Sequence, residues 1–138
     1  MTLIEKITHN GLDYAIIIRG GVKVDGAKYF TNSDSPLQLG VQQHKKGYSE
    51  PAHFHKIMRR NIDQVHQVSY YIEGKAKYEF FDTSNNVFYS TIINGGDTIL
   101  VTENSHKMTI LEDINTITIK QGPYLGMGDD QVLIEEKT

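Results

Sequence analysis

Gln67-Val68-Ser69-Tyr70-Tyr71-Ile72-Glu73-Gly74-Lys75-Ala76-Lys77-Tyr78-Glu79-Phe80-Phe81 is the stretch that decides the fold. It is dense in β-branched and aromatic residues, which suit a pleated surface. With Val65 and His66 before it, it predicts two strands, Val65 to Glu73 and Lys75 to Phe81, parted by the turn signal Glu73-Gly74. Alternation puts residues 67, 69 and 71 on one face, and counting back from Gly74 points that face inward, with His66 pointing away. A register slip of one residue would exchange Gln67 and His66.

Outward from this stretch the pattern repeats. Further strand-like runs are Tyr14 to Arg19, Leu37 to His44, Ala52 to Lys56, Val87 to Ile93, Thr98 to Val101, Lys107 to Leu111 and Thr116 to Gln121, with Val132 to Ile134 as a possible edge strand. Between them lie Gly20-Gly21, Asp25-Gly26, Ser84-Asn85-Asn86 and Asn94-Gly95-Gly96-Asp97, residues that tolerate positive φ or bond their own backbone. Lys56 to Gln64 reads as a loop. Such spacing predicts an all-β sandwich or barrel.

The bulk properties bound the function. A chain of 138 residues is of single-domain size and reads as one domain, 1–138. There is no cysteine, so any metal ligands are imidazole, carboxylate or amide. The net charge of −3 comes without a basic stripe, which argues against nucleic acid. No segment approaches the roughly 20 apolar residues that span a bilayer, and the first residues lack an apolar signal-peptide core; a cytoplasmic protein is expected. Tyr14 to Arg19, with Ala15 to Ile18 wholly apolar, would be an exposed edge if left uncovered, and on that ground a homodimer is expected.

Ala52-His53-Phe54-His55 carries the chemistry. On a strand, His53 and His55 share a face and their imidazoles can converge on one metal; His106, after the run Asp97 to Val101, is a plausible third ligand. Alone, a His-x-His pair is a weak signal. Set in Gly47-x5-His53-x-His55, then Gln67-x6-Gly74, then Gly96-Asp97 and His106, it resembles the cupin family, with the motifs spanning residues 47 to 106. The resemblance implies a double-stranded β-helix, or jelly-roll barrel, holding one divalent metal through His53, His55, Gln67 and His106.

Three departures stand out. The spacer from His55 to Gln67 is 11 residues, longer than the family's; the family glutamate is here Gln67; and Thr102-Glu103-Asn104 replaces the Pro-x-Gly of the second motif, with Asn104 able to adopt the left-handed conformation. An amide in place of the carboxylate leaves the full +2 charge on the ion, which makes it a stronger electrophile held less tightly. Zinc, iron, nickel and manganese all suit such a site.

Around the metal, Tyr71, Ser69 and Phe54 are expected to line a pocket. Arg59, Arg60 and Lys56 could grip a carboxylate or phosphate at its mouth, although a solvated loop is the blander reading. Tyr71, Arg59 and Lys120 are the catalytic candidates, with Gln43 and His44 as possible further lining and His9 expected to be inert. Most tyrosines read as core residues. The tail from Ile119-Lys120-Gln121-Gly122-Pro123-Tyr124 to Asp129-Asp130 is weakly similar to small cupins of sugar-nucleotide and surface-polysaccharide pathways. The expected function is a metal-dependent enzyme, an isomerase, lyase or dioxygenase, acting on a small oxygen-rich molecule such as a sugar derivative or carboxylic acid. A non-catalytic sugar-binding module and a metal-independent sugar-nucleotide isomerase or epimerase using histidine as base are the alternatives.

Overall fold

The computed structural model describes residues 2–137. It contains eight strands, β1 (Ile4–His9), β2 (Leu12–Ile18), β3 (Gly26–Tyr29), β4 (Gly40–Gln43), β5 (Gln67–Phe81), β6 (Val87–Asn94), β7 (Thr98–Val101) and β8 (His106–Lys120), and one helical turn, α1 (Met127–Asp130). The expected all-β class is what forms. Six strands make one antiparallel sheet, ordered β1-β2-β7-β5-β6 with β8 on the other side of β5, that curls into a half-barrel; β3 and β4 form a separate two-stranded ribbon. No described helix is long and apolar enough to cross a membrane.

β5 organises the sheet. Its first residues pair with β7 and its last with β6, while β8 runs along its opposite side for nearly its whole length. The expected turn at Glu73-Gly74 is absent, and one 15-residue strand replaces the two that were predicted. Gly74 instead bends the strand. Its φ is 101°, and a Cβ there would overlap the Asp113 carbonyl oxygen and lie 2.7 Å from Ile114 Cα. The register shifts on both sides of it, so the buried positions change parity, from 69 and 71 before the bend to 76, 78 and 80 after it. Lys107–Leu111 and Thr116–Gln121 likewise merge into the single strand β8.

Two strands went unread. β1 closes on β2 through Asn10 and Gly11, with φ of 48° and 76° and His9 opposite Leu12, the two-residue turn that Asn-Gly favours. β2 is consequently internal, between β1 and β7, so the exposed edge on which the homodimer was argued does not exist. β3 was the other omission. Conversely, Ala52–Lys56 and Val132–Ile134 are not strands, and Asn104 is not among the described residues with positive φ.

The core fills the hollow of the half-barrel with Ile7, Tyr14, Ala15, Ile17, Tyr71, Ala76, Tyr78, Phe80, Ile93, Ile99 and Val101. Each large apolar side chain buried there contributes about 1.5–3 kcal/mol. Tyr14, Tyr71 and Tyr78 are the buried tyrosines; Tyr29, Tyr48, Tyr70, Tyr89 and Tyr124 are exposed, so the expectation that most tyrosines are core is not met. One end of the sheet is braced by Arg19. It donates to Glu5 at 2.6 Å, to Asp97 at 3.0 Å, to Thr91 Oγ1 at 2.9 Å and to the Ile92 carbonyl at 2.6 Å. Burial works against its charge, but Glu5 and Asp97 outweigh that and leave its pKa raised.

Candidate functional site

The concave face of the β5–β8 ladder is where the inward residues of the sequence meet. Gln67 lies opposite Lys120, Ser69 opposite Thr118, Tyr71 opposite Thr116, Tyr78 opposite Met108 and Phe80 opposite His106, and cross-strand partners share a face. Gln67 also pairs with Val101, a core residue, which puts it on the inner face as expected. His66 takes the other side. It is 8% exposed, its N–H donates to Gln121 Oε1 at 2.8 Å, its Nε2 lies 3.4 Å from Glu103, and it lines a small cavity of about 90 Å³ with Lys6, Phe30 and Leu100 on the convex side.

Several hydroxyls on the concave face are paired. Tyr71 donates to Met108 Sδ at 3.2 Å and bonds the Tyr78 hydroxyl at 2.8 Å, and the Ser69 and Thr118 hydroxyls lie 3.1 Å apart. Burial pushes both tyrosines up, for Tyr71 against a smaller downward pull from its bond to Tyr78. Both are therefore neutral near pH 7 and unsuited to act as a base, and their protons are taken up by each other and by Met108. Lys120, at the rim, is tied to Asp130 at 2.5 Å and has its Nζ 5.8 Å from the centre of the Tyr124 ring. That ion pair places a basic group at the rim with an acid beside it.

The histidine pair sits elsewhere. Residues 44 to 66 contain no strand, and Phe54, at 88% exposure, is a solvent-exposed ring rather than the expected pocket lining. Lys56, Arg59 and Arg60 are exposed on the same segment and form no ion pair among the described residues. The rings of His53 and His55 are centred 5.1 Å apart. His53 Nδ1 lies 2.8 Å from the Pro51 carbonyl, and His106 Nδ1 lies 2.7 Å from that of Asn104. A carbonyl oxygen only accepts, so each Nδ1 carries a proton. The Glu50 carboxylate is 3.5 Å from His53 Nε2. Among the described residues no three His, Asp or Glu side chains gather as a metal group, so His53 and His55 are together while His106 and Gln67 lie on the ladder.

The remaining candidates have structural partners. Gln43 accepts from Val24 N–H and donates to the Val22 carbonyl, holding a loop; His44 stacks on Tyr48 with ring centres 4.0 Å apart; and His9 stacks on Phe88 at 4.2 Å, so it packs rather than hangs free. Asp97, read from the sequence as the start of the second motif, accepts from Gly20 N–H and Asn94 N–H as well as from Arg19. Arg19 itself went unread. Only its place at the end of an apolar run, with acids far off in sequence, could have signalled it. No protein-family model matches the chain, and neither a curated protein nor a solved structure matches it.

Proposed function

We propose that the chain binds a divalent metal through His53, His55, His106 and Gln67 and acts, as a cupin-like barrel, on a small oxygen-rich molecule such as a sugar derivative or carboxylic acid. The observation that carries this reading is the preparation of the imidazoles. His53 and His106 each have Nδ1 tied to a backbone carbonyl, the outer bond that orients metal-binding histidines and points Nε2 outward, where at His53 an ion would displace the Glu50 contact. The spacing of the pair fits as well. Two imidazoles on one ion, at about 2.1 Å per nitrogen and with about 90–109° between them, have ring centres about 4.6–5.3 Å apart; those of His53 and His55 are at 5.1 Å.

β8 offers the means of joining the two halves of the donor set. It pairs only with β5, so the edge that begins at His106 is unpaired among the described residues, and Met108 and Ile110 beside Tyr78 and Ala76 are half exposed. A segment carrying His53 and His55 laid on that edge would cover these residues and bring the pair beside His106. Metal binding and ordering of residues 44–66 would then be one event. The bound ion supplies Lewis acidity toward an oxygen ligand. Lys120 at the rim would draw the ligand's anionic group, and the apolar wall of Met108 and Ile110 would exclude water.

Elemental analysis of the purified protein, with hydrogen exchange of residues 44–66 with and without Zn²⁺, tests the reading. A stoichiometric metal, its loss in His53→Ala, and protection of 44–66 on loading are expected. Loading that requires His53 but leaves the segment unprotected would remove the closure; a wild-type protein that takes up no divalent metal would remove the metal centre.

A further inference from the structure

The small cavity beside His66 lies on the convex side of the sheet, away from the hollow of the half-barrel. Cross-strand pairing sets Lys6, Ile16, Leu100 and Val68 in one row. Their neighbours Ala15, Ile17, Ile99 and Val101 are buried on the other side, so this row faces outward. His66, two residues before Val68, falls on the same face. The connection from β3 to β4 lies over it. Thr31 donates to Gln38, whose amide donates in turn to the Asn32 and Ser35 carbonyls and ties the connection into a compact turn. Between connection and sheet is a space of about 90 Å³ with apolar walls from Ile16, Phe30 and Leu100 and with Lys6 and Asp13, both exposed, toward its mouth.

The polar groups of this cavity are unequally provided for. The Thr31 hydroxyl accepts from Leu39 N–H as well as donating to Gln38, and the Thr102 hydroxyl donates to the Asp13 carbonyl and accepts from Asn104 N–H. His66 differs. It is 8% exposed, and its Nδ1 is buried with no hydrogen-bond partner among the described residues. Its Nε2 lies 3.4 Å from Glu103, which is outside the cavity wall, so Nδ1 is the polar atom that the ring can bring to the cavity. The Gln121 amide that holds His66 N–H has its own Nε2 buried and unpaired as well. An unpaired polar atom is costly in apolar surroundings, and a ligand oxygen removes that cost.

At about 10–15 Å³ per water-sized atom the space admits roughly six to nine non-hydrogen atoms, too few for a hexose. We propose that it binds a short monocarboxylate, with an oxygen on His66 Nδ1 and the alkyl part against Ile16, Phe30 and Leu100. The imidazole then lies between two carboxylates, Glu103 at Nε2 and the ligand at Nδ1. Lys6, which forms no ion pair among the described residues, adds positive charge at the mouth. Asp13 beside it opposes a second negative charge, which selects against dicarboxylates and phosphate. The site needs no metal and is separate from the proposed metal centre.

Titration of the full chain with sodium propionate, followed by amide-resolved NMR, tests the assignment. Saturable shifts confined to residues 13–16, 30–35, 66 and 100–102 are expected, with a dissociation constant of about 1 mM or below that EDTA leaves unchanged. His66→Phe keeps a ring but removes Nδ1 and should weaken binding at least about tenfold, while His66→Asn, whose amide nitrogen takes the place of Nδ1, should hold it within about threefold. Should His66→Phe fail to fold, Ser35→Leu on the covering connection blocks the cavity with the imidazole intact and should abolish binding. Absence of saturation, equal affinity for succinate or phosphate, or undiminished binding in a folded His66→Phe or in Ser35→Leu would each overturn the proposal. A response that EDTA abolishes would also overturn it, and would assign the carboxylate to the metal centre instead.

Discussion

The β5–β8 ladder and residues 52–56 both alternate like strands in sequence, yet the first is a continuous sheet and the second, within a segment 44–66 without any strand, is not paired. The difference lies in what each can bury. Tyr71, Ala76, Tyr78 and Phe80 fall on one face of β5 and meet the apolar residues of β2, β6 and β7. Ala52-His53-Phe54-His55-Lys56 alternates with imidazoles on one face and one aromatic on the other, between Lys45, Lys46 and Glu50 on one side and Arg59, Arg60 and Asp63 on the other. Pairing it costs roughly 1–2 kcal/mol of backbone entropy per residue and buries too little to offset that. A strand pattern is therefore a statement about what a segment can bury. The ladder satisfies it unaided, and the histidine segment forms no strand.

The sharpest way to break the contrast is truncation inside the ladder. Phe80→Ala removes a ring that is wholly buried and should cost about 4 kcal/mol in urea unfolding followed by circular dichroism. Next comes the bend. Gly74→Val combines a left-handed backbone penalty with overlap against Asp113 and Ile114 and should cost about 3 kcal/mol, disrupting β8 pairing as seen by hydrogen exchange.

Alkaline titration separates the two regions by charge. Tyr71 and Tyr78 have raised folded pKa values, so their contribution is whole below the unfolded value near 10 and is lost as pH rises above it. Between pH 9 and 11 Tyr78 alone should subtract about 1.4 kcal/mol from stability, and Tyr78→Phe should flatten that slope. At the proposed metal centre, Gln67→Glu restores a carboxylate and should tighten Zn²⁺ at least about tenfold by calorimetry. The smallest effect belongs to the segment. Phe54→Ala should stay within about 0.5 kcal/mol in the metal-free protein, and a larger loss would show that 44–66 is packed without metal.

Much of the ladder was legible because alternation survives without knowledge of partners. β7 was read at its true bounds, β6 to within a residue, and the shared face of 67, 69 and 71 follows from counting alone. Gly74 misled because glycine serves both turns and bends, and only the closeness of Asp113, far along the chain, decides between them. β1 was missed because Ile4-Glu5-Lys6-Ile7-Thr8-His9 is weakly apolar; β2 and the Asn10-Gly11 turn recruit it. Of the candidate site, the residue types and their faces were readable on the ladder. The absence of a strand at His53 and His55 was not, since it depends on how little that segment can bury.

The position of β5 at the meeting of three strands also orders the assembly of the molecule in time. β6 follows β5 through the short loop Asp82–Asn86, where the Asp82 carboxylate accepts N–H bonds from Ser84 and Asn86 that, Asn86 foremost, hold its pKa down. This hairpin closes a small loop and can form early. β2 must find β7 across most of the chain, with Ala15 opposite Val101. The N-terminal hairpin therefore joins last, and until it does the apolar flank of β7 faces water. A chain slowed at that step is one whose exposed strand invites the wrong neighbour.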